Sequence, residues 1–210
     1  MKITIIGSGN VGGTLGSRWA KKGHEITFGA RDPKGEKVQK LLKSLDGKAK
    51  ASGVKDAVSA SQVVLLATPW WSAEDAIRSA GDLKGKIIID CINPLAKDMS
   101  GLTIGHTTSA AEKIAGWAVG ARVVKAFNST GSKNMANPVY GSQKITMFIC
   151  GDDVEAKKTV AGLAAELDFD VVDAGALVAA RYLEALAMLW VHLVVVAGLG
   201  PDVAFKLIKR

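Results

Sequence analysis

Residues 2–29 read KITIIGSGNVGGTLGSRWAKKGHEITFG, and this stretch decides the fold. It opens on an apolar run, Lys2–Gly7, and turns through Gly7-Ser8-Gly9-Asn10-Val11-Gly12. A helical pattern follows over Val11–Lys22, then a second apolar run over Glu25–Gly29. The pattern G-x-G-x-x-G is weak alone, because glycine is common. Between a buried strand and a helix it has the context it needs. Gly7 permits the tight turn, Gly9 lets the backbone approach a pyrophosphate, and Gly12 lets the helix pack close to the strand. The helix N-terminus offers free N–H groups and a positive dipole end to phosphates. The stretch predicts a dinucleotide-binding strand–helix–strand unit. The competing reading is a glycine-rich turn in a domain of the same shape that binds nothing.

The same alternation runs along the chain. Further apolar runs lie at Lys48–Ala51, Gln62–Ala67, Lys86–Asp90, Arg122–Phe127, Lys144–Cys150 and Asp168–Asp173. Most are rich in Val and Ile without polar alternation, as strands covered on both faces are. Helical patterns fill the gaps, at about 36–45, 54–59, 71–80, 109–115, 154–167 and 177–199. This order predicts an α/β fold with a doubly wound (Rossmann), mostly parallel sheet and a small C-terminal helical part. The stretches Asn93–Thr108 and Asn128–Gln143 read as irregular loops after strand ends, where such folds place their sites.

Composition bounds the rest. A chain of 210 residues with 48% hydrophobic and 22% charged residues suits an ordinary globular domain and excludes a disordered or collagen-like chain. Cys91 and Cys150 are the only cysteines and lie in no metal-ligand spacing, so no metal site is expected and a reducing, cytoplasmic setting is. The net charge is +7, but Lys and Arg are scattered and aromatics, at 6%, are not interleaved with them. That suits a solvated surface plus a phosphate site, with nucleic-acid binding a minor alternative. The apolar run Ile3–Ile6 after Met1-Lys2 is too short for the apolar core of a secretion signal, so none is expected. The apolar stretch Ala185–Gly200 is shorter than the roughly 20 residues of a membrane span, so a buried helix is expected there.

Cofactor identity is read after the second strand, where NAD enzymes usually carry a carboxylate for the ribose hydroxyl. Here the chain reads Gly29-Ala30-Arg31-Asp32-Pro33-Lys34. Arg31 presents a fork of donors suited to a 2′-phosphate, and Lys34 and Lys37 add charge, so NADP (NADPH) is favoured. Read one register along, Asp32 would instead meet the ribose; a separate alternative makes Arg31 a surface cation paired with Asp32. Thr68-Pro69-Trp70-Trp71 and Asn93-Pro94 follow the next two strands. Prolines stiffen these loops, and Thr68 or Asn93 can bond ribose or carboxamide. The two tryptophans either line the groove or pack over the sheet edge.

These residues resemble a known family. GSGNVGGTLGSRWAKKGHEITFGAR, ATPWWSA, CGDDVEAKK and DAGALVAARYLEALAMLW are similar to successive segments of the NADPH-dependent reductases of the deazaflavin coenzyme F420. Val123-Val124-Lys125-Ala126-Phe127-Asn128 also resembles the oxidoreductase domain of the six-transmembrane epithelial antigens of the prostate, which are ferric reductases. The first resemblance implies direct hydride transfer between nicotinamide and a deazaflavin ring. By position it implies that Ser8, Gly9, Asn10 and Val11 hold pyrophosphate and that Ala30 and Arg31 hold the 2′-phosphate. Thr68, Pro69 and Asn93 would flank the nicotinamide, and Phe127, Asn128 and Ser129 would face the second ring. Residues 1–143 would form the NADP-binding domain, and 144–210 a strand-helix part closing the acceptor pocket.

No triad of catalytic side chains stands out, as suits a reaction that needs mainly proximity of two rings. His24 is read as structural, His106 as a loop residue and His192 as a satisfied core histidine. Phe127 is as much a core candidate as a site residue, and Lys125 sits in an apolar strand. The C-terminal helix is apolar nearly all round, which a homodimer interface would cover. Three functions compete: hydride transfer between NADPH and F420 or a flavin-like acceptor, flavin-mediated ferric or cupric reduction, and non-enzymatic NADP sensing.

Overall fold

A computed structural model describes residues 1–210. Its strands are β1 (Lys2–Ile6), β2 (Glu25–Gly29), β3 (Ala49–Ser52), β4 (Val63–Leu66), β5 (Ile87–Asp90), β6 (Arg122–Lys125), β7 (Val139–Tyr140), β8 (Gln143–Lys144), β9 (Thr146–Gly151) and β10 (Asp170–Asp173). Its α-helices are α1 (Asn10–Lys21), α2 (Glu36–Lys43), α3 (Val54–Ser59), α4 (Ala73–Ser79), α5 (Ala110–Trp117), α6 (Ser132–Ala136), α7 (Val154–Ala165) and α8 (Ala180–Val191).

Eight strands form one sheet in the order β10-β9-β6-β5-β4-β1-β2-β3. All neighbours are parallel except β6 and β9, so β9 and β10 run against the other six. This is the doubly wound sheet expected, extended by two reversed strands. The seam is narrow: β6 and β9 share only the registers Val124↔Gly151 and Lys125↔Cys150.

Successive strand residues point to opposite faces. Ile3, Ile5, Val63, Leu65, Ile87 and Ile89 therefore face one core, with Leu15 and Trp19 of α1 and Val160 and Leu163 of α7. Ile6, Val64, Leu66, Ile88 and Val123 face the other, with Ile77 of α4, Ile114 of α5 and Leu183 of α8. Apolar residues on both faces explain the unbroken Val and Ile runs.

Three parts differ from expectation. The loop after β6 is not wholly irregular: it holds α6 and the β7–β8 hairpin, elements of two to five residues with too few positions to show a period. The C-terminal helix stops at Val196 in a π-type turn, and the last residues have no regular structure. Its start at Leu177 agrees with the helical pattern read over 177–199, while its burial does not. One helical run covers Leu177–Val196, 20 residues with an 18-residue window of mean hydropathy 1.5, long and apolar enough by length and composition to cross a membrane. It is only partly buried, not the buried helix expected: Tyr182, Leu189, Val195 and Val196 are exposed. Its charged residues are bound within the protein, Arg181 to Glu112 at 2.6 Å and Glu184 to Lys125 at 2.7 Å. His192 is exposed, not a core histidine.

The second pair belongs to a fully buried cluster. Lys125 Nζ lies 2.8 Å from Asp90 Oδ2 and 2.7 Å from Glu184 Oε1, and also donates to the Ile92 carbonyl. Glu184 accepts from the Ala110 and Ala111 amides at the start of α5, and Asp90 Oδ1 accepts from the Ile92 amide. Burial alone would lower the Lys125 pKa, but the two carboxylates outweigh it and hold the ammonium above its ordinary range. Burial pushes Glu184 up, against the pull of Lys125. Removing one partner of such a cluster leaves the others uncompensated. Lys125→Met should cost about 3–5 kcal/mol of stability in denaturant unfolding, and adding Asp90→Asn and Glu184→Gln should recover part of it. A Lys125→Met protein as stable as the parent would show that the cluster does not hold these elements together.

Candidate functional site

The glycine loop has the geometry the motif requires. Gly7 adopts φ +116°, and a Cβ there would lie 2.3 Å from the Ala67 carbonyl oxygen. A Cβ on Gly12 would lie 1.9 Å from the Gly7 carbonyl oxygen. Both positions bring backbones together so tightly that only glycine fits. Gly9 differs: a Cβ there meets no protein atom within 4 Å, so its side-chain direction opens outward from the loop. Gly9 caps α1 with no side-chain hydrogen bond, and the first turn carries no acidic residue. The amides of Asn10, Val11 and Gly12 are thus left to an outside acceptor.

Arg31 stands just beyond the end of β2, exposed and in no ion pair. Asp32 does not pair with it. Its Oδ1 accepts from the Lys34 amide at 3.1 Å, and its carbonyl accepts from Gly35, so the carboxylate stabilises its own turn. The open alternative at this position therefore resolves toward a free guanidinium. Ala30 is half-buried beside the strand end, and Lys34 is exposed on the same turn.

Thr68, Pro69 and Asn93 come together in a cleft of about 200 Å³ at the ends of β4 and β5. Val11, Ala67, Cys91 and Ile92 form its inner wall, and Trp70, Trp71, Leu95, Ala96, Lys97 and Met99 its outer part. Trp70 is fixed by stacking on Trp117, centroids 5.5 Å apart, while Trp71 stays 56% exposed. The Thr68 hydroxyl oxygen is buried without a hydrogen-bond partner, a polar handle suited to a ligand amide. Burial pushes the Cys91 thiol far up, so it presents no thiolate.

Phe127, Asn128 and Ser129 do not line this cleft. Phe127 is a correction. It is 1% exposed in the α1-side core, edge-on to Trp19 and Phe169 at 5.7 and 5.8 Å. Its φ of +60° is strained for a side chain this large, and it points the ring inward. Asn128 is buried: its Nδ2 donates to Asn93 Oδ1 and the Leu183 carbonyl, at 3.0 and 2.9 Å, and its Oδ1 has no partner within the protein. Asn93 Nδ2 donates back to the Asn128 carbonyl at 2.8 Å. Ser129 is buried as well, and Trp190 of α8 packs against the neighbouring Gly131. Asn128 thus acts on the cleft through Asn93. No residue of 144–210 lines the cleft.

Sequence reasoning missed Leu95 to Met99. The bridge Leu95↔Leu102 and the Ala96 amide bonded to the Gly101 carbonyl fold this segment back over the cleft. Nothing in its Gly- and Ser-containing sequence announces that. It also missed the Lys125 cluster, for which a signal existed: charges ending two apolar strands and one inside an apolar helix.

Comparison with known proteins adds to this geometry. The family model described as NADP oxidoreductase, coenzyme F420-dependent, matches residues 2–94, from β1 through the Asn93 loop. Metalloreductase STEAP3 of Rattus norvegicus is 33% identical over 188 residues, 89% of this chain but only 36% of that protein. The chain thus spans about a third of the metalloreductase's length. The crystal structure of an Arthrobacter sp. FB24 protein assigned as an F420-dependent NADP reductase superposes with a TM-score of 0.91, at 30% identity and full coverage of both chains. The F420-dependent NADP reductase of Methanocaldococcus jannaschii is 31% identical, over 92% of each chain. A likeness that runs from the glycine loop through the final helix, with neither chain leaving a domain unmatched, makes this chain a member of the coenzyme F420-dependent NADP oxidoreductase family.

Proposed function

We propose that the protein binds NADPH along the strand ends and passes hydride to F420 or a flavin-like acceptor in the cleft. The observation that carries this is one line of features along the carboxyl ends of the neighbouring parallel strands β2, β1, β4 and β5. Arg31 stands free past β2, the amides of α1 are uncapped past β1, and an apolar cleft opens past β4 and β5. That spread suits a dinucleotide with its 2′-phosphate at Arg31, Ala30 and Lys34 and its pyrophosphate on Ser8, Gly9, Asn10 and Val11. Thr68, Pro69 and Asn93 would orient the nicotinamide.

When bound, NADPH supplies the hydride. The protein's part is to bind, orient and exclude water. The cleft is lined by no carboxylate and no histidine, and burial keeps Cys91 a neutral thiol. Proximity and alignment of two rings therefore carry the rate. The metalloreductase match favours a second reading, in which a reduced flavin passes electrons on to ferric or cupric chelates. A homodimer formed through the exposed apolar side of α8 and a cytoplasmic location belong to the same proposal. The two free thiols suit a reducing compartment.

Arg31→Ala should weaken NADPH by about tenfold or more and leave NADH nearly unchanged, since a charge-assisted bond to phosphate contributes roughly 1.5–3 kcal/mol. Equal losses for both dinucleotides, measured by titration, would remove Arg31 from the phosphate site. Turnover with F420, FMN, FAD and iron chelates, followed at the NADPH absorbance, separates the two readings, and tight binding without turnover would indicate a sensor.

Gly9→Val should abolish NADPH binding while leaving thermal unfolding unchanged, because its side chain enters only the open side of the loop. Gly12→Ala should instead destabilise the fold through its 1.9 Å clash. If Gly9→Val binds NADPH normally, the loop is not the pyrophosphate site.

A further inference from the structure

The cleft carries a single charge. Of its thirteen lining residues, nine are hydrophobic and only Lys97 is ionised. Lys97 takes part in none of the salt bridges of the protein, and its neighbour Asp98 is turned away, its Oδ1 accepting from the amide and hydroxyl of Ser100. The ammonium instead stands 5.7 Å from the centre of the Trp71 ring. A cation over an indole face is held in place without being neutralised, so its charge stays available to a ligand. The backbone beneath it is also held, by the Ala96–Gly101 and Met99–Ala96 hydrogen bonds.

The dinucleotide has no evident use for this charge. The order β5-β4-β1-β2 puts the loop bearing Lys97 three strands from the end of β2 and two from that of β1. Those are separations of roughly 14 Å and 10 Å between strand ends. A phosphate on Arg31 is thus answered elsewhere, and one on the α1 amides, where Val11 shares the cleft lining, is answered by the helix start itself. An apolar slot with one free cation at its mouth matches a different molecule: a flat, fused-ring heterocycle carrying an anionic side chain.

Resting on the functional reading above, we infer that the outer rim of the cleft is a subsite for the anionic side chain of the hydride acceptor, with Lys97 reading its charge. Trp71 is the positioning residue that holds the ammonium over the opening. Neutral acceptors of the same ring shape enter the slot but forgo this contact.

The test is binding, not turnover, so that it stands apart from the functional reading. Two matched pairs serve as probes: FMN against riboflavin, and coenzyme F420 against its tail-free deazariboflavin chromophore. Each is titrated by fluorescence quenching onto protein saturated with oxidised NADP. The wild type should bind the charged member of a pair more tightly. Lys97→Met should weaken the charged member by about tenfold or more and leave the uncharged one unchanged, and Lys97→Glu should weaken it further. Trp71→Leu should reproduce part of the loss, and Trp71→Phe should retain most of the affinity. Equal binding of both members by the wild type, binding of none of the four, or equal losses for both in Lys97→Met would overturn the inference. So would a loss that falls on NADPH affinity instead, which would assign Lys97 to the dinucleotide. A protein that binds charged probes through Lys97 but never reduces them would overturn the hydride-transfer reading and leave the subsite standing.

Discussion

An ammonium group shut off from water persists only where oxygen atoms replace the water, and Lys125 meets that condition where β5, β6, α5 and α8 converge. Its three oxygen partners come from Asp90, Ile92 and Glu184. The carboxylates are held in turn by amides of Ile92, Ala110 and Ala111. One cation faces two anions, and the start of α5 supplies further positive potential through its free amides. Such a cluster adds little net stability compared with apolar packing, but the loss of any one member leaves the others buried and uncompensated. It therefore sets where α8 lies and how the chain leaves β5.

From that setting the site follows. The turn after Asp90 carries Cys91, Ile92 and Asn93 into the cleft wall. Asn93 and Asn128 exchange amide hydrogen bonds, and Asn128 also reaches the backbone of α8. The cleft is thus lined mostly by the loops that leave β4 and β5, and the Asn93–Asn128 pair ties the second of these to the body of the protein. At the other end, Arg18 anchors α1 by bonding the Met135 and Leu167 carbonyls, which steadies the helix whose first turn faces the glycine loop.

Most of this architecture was legible in the residues. The eight apolar runs correspond to the eight strands of the sheet, because a doubly covered strand leaves an unbroken apolar record. Gly7, Gly9 and Gly12 announced their spacing, and their geometry separates into two packing glycines and one open one. Arg31 was legible as a cation but its freedom was not, since the fate of Asp32 depends on a turn three residues long. The misplaced residues share another cause. Phe127, Asn128 and Ser129 follow a strand end, where sites in this fold lie, yet the left-handed backbone at Phe127 turns its ring into the core and all three are buried. Lys97 was invisible because it reaches the cleft only through the Leu95–Leu102 bridge.

The reversed seam between β6 and β9 divides the main chain unequally. On one side, six parallel strands are joined by continuous ladders. On the other, β9 and β10 form a smaller leaf joined to them by two residue registers. The leaf is carried mainly by side chains, with Met147 and Ile149 in the same core as Val124 and Phe127. Cooperativity across the molecule therefore passes through packed volume more than through backbone bonds. A methylene lost from that core therefore loosens the packing through which the two leaves stabilise each other.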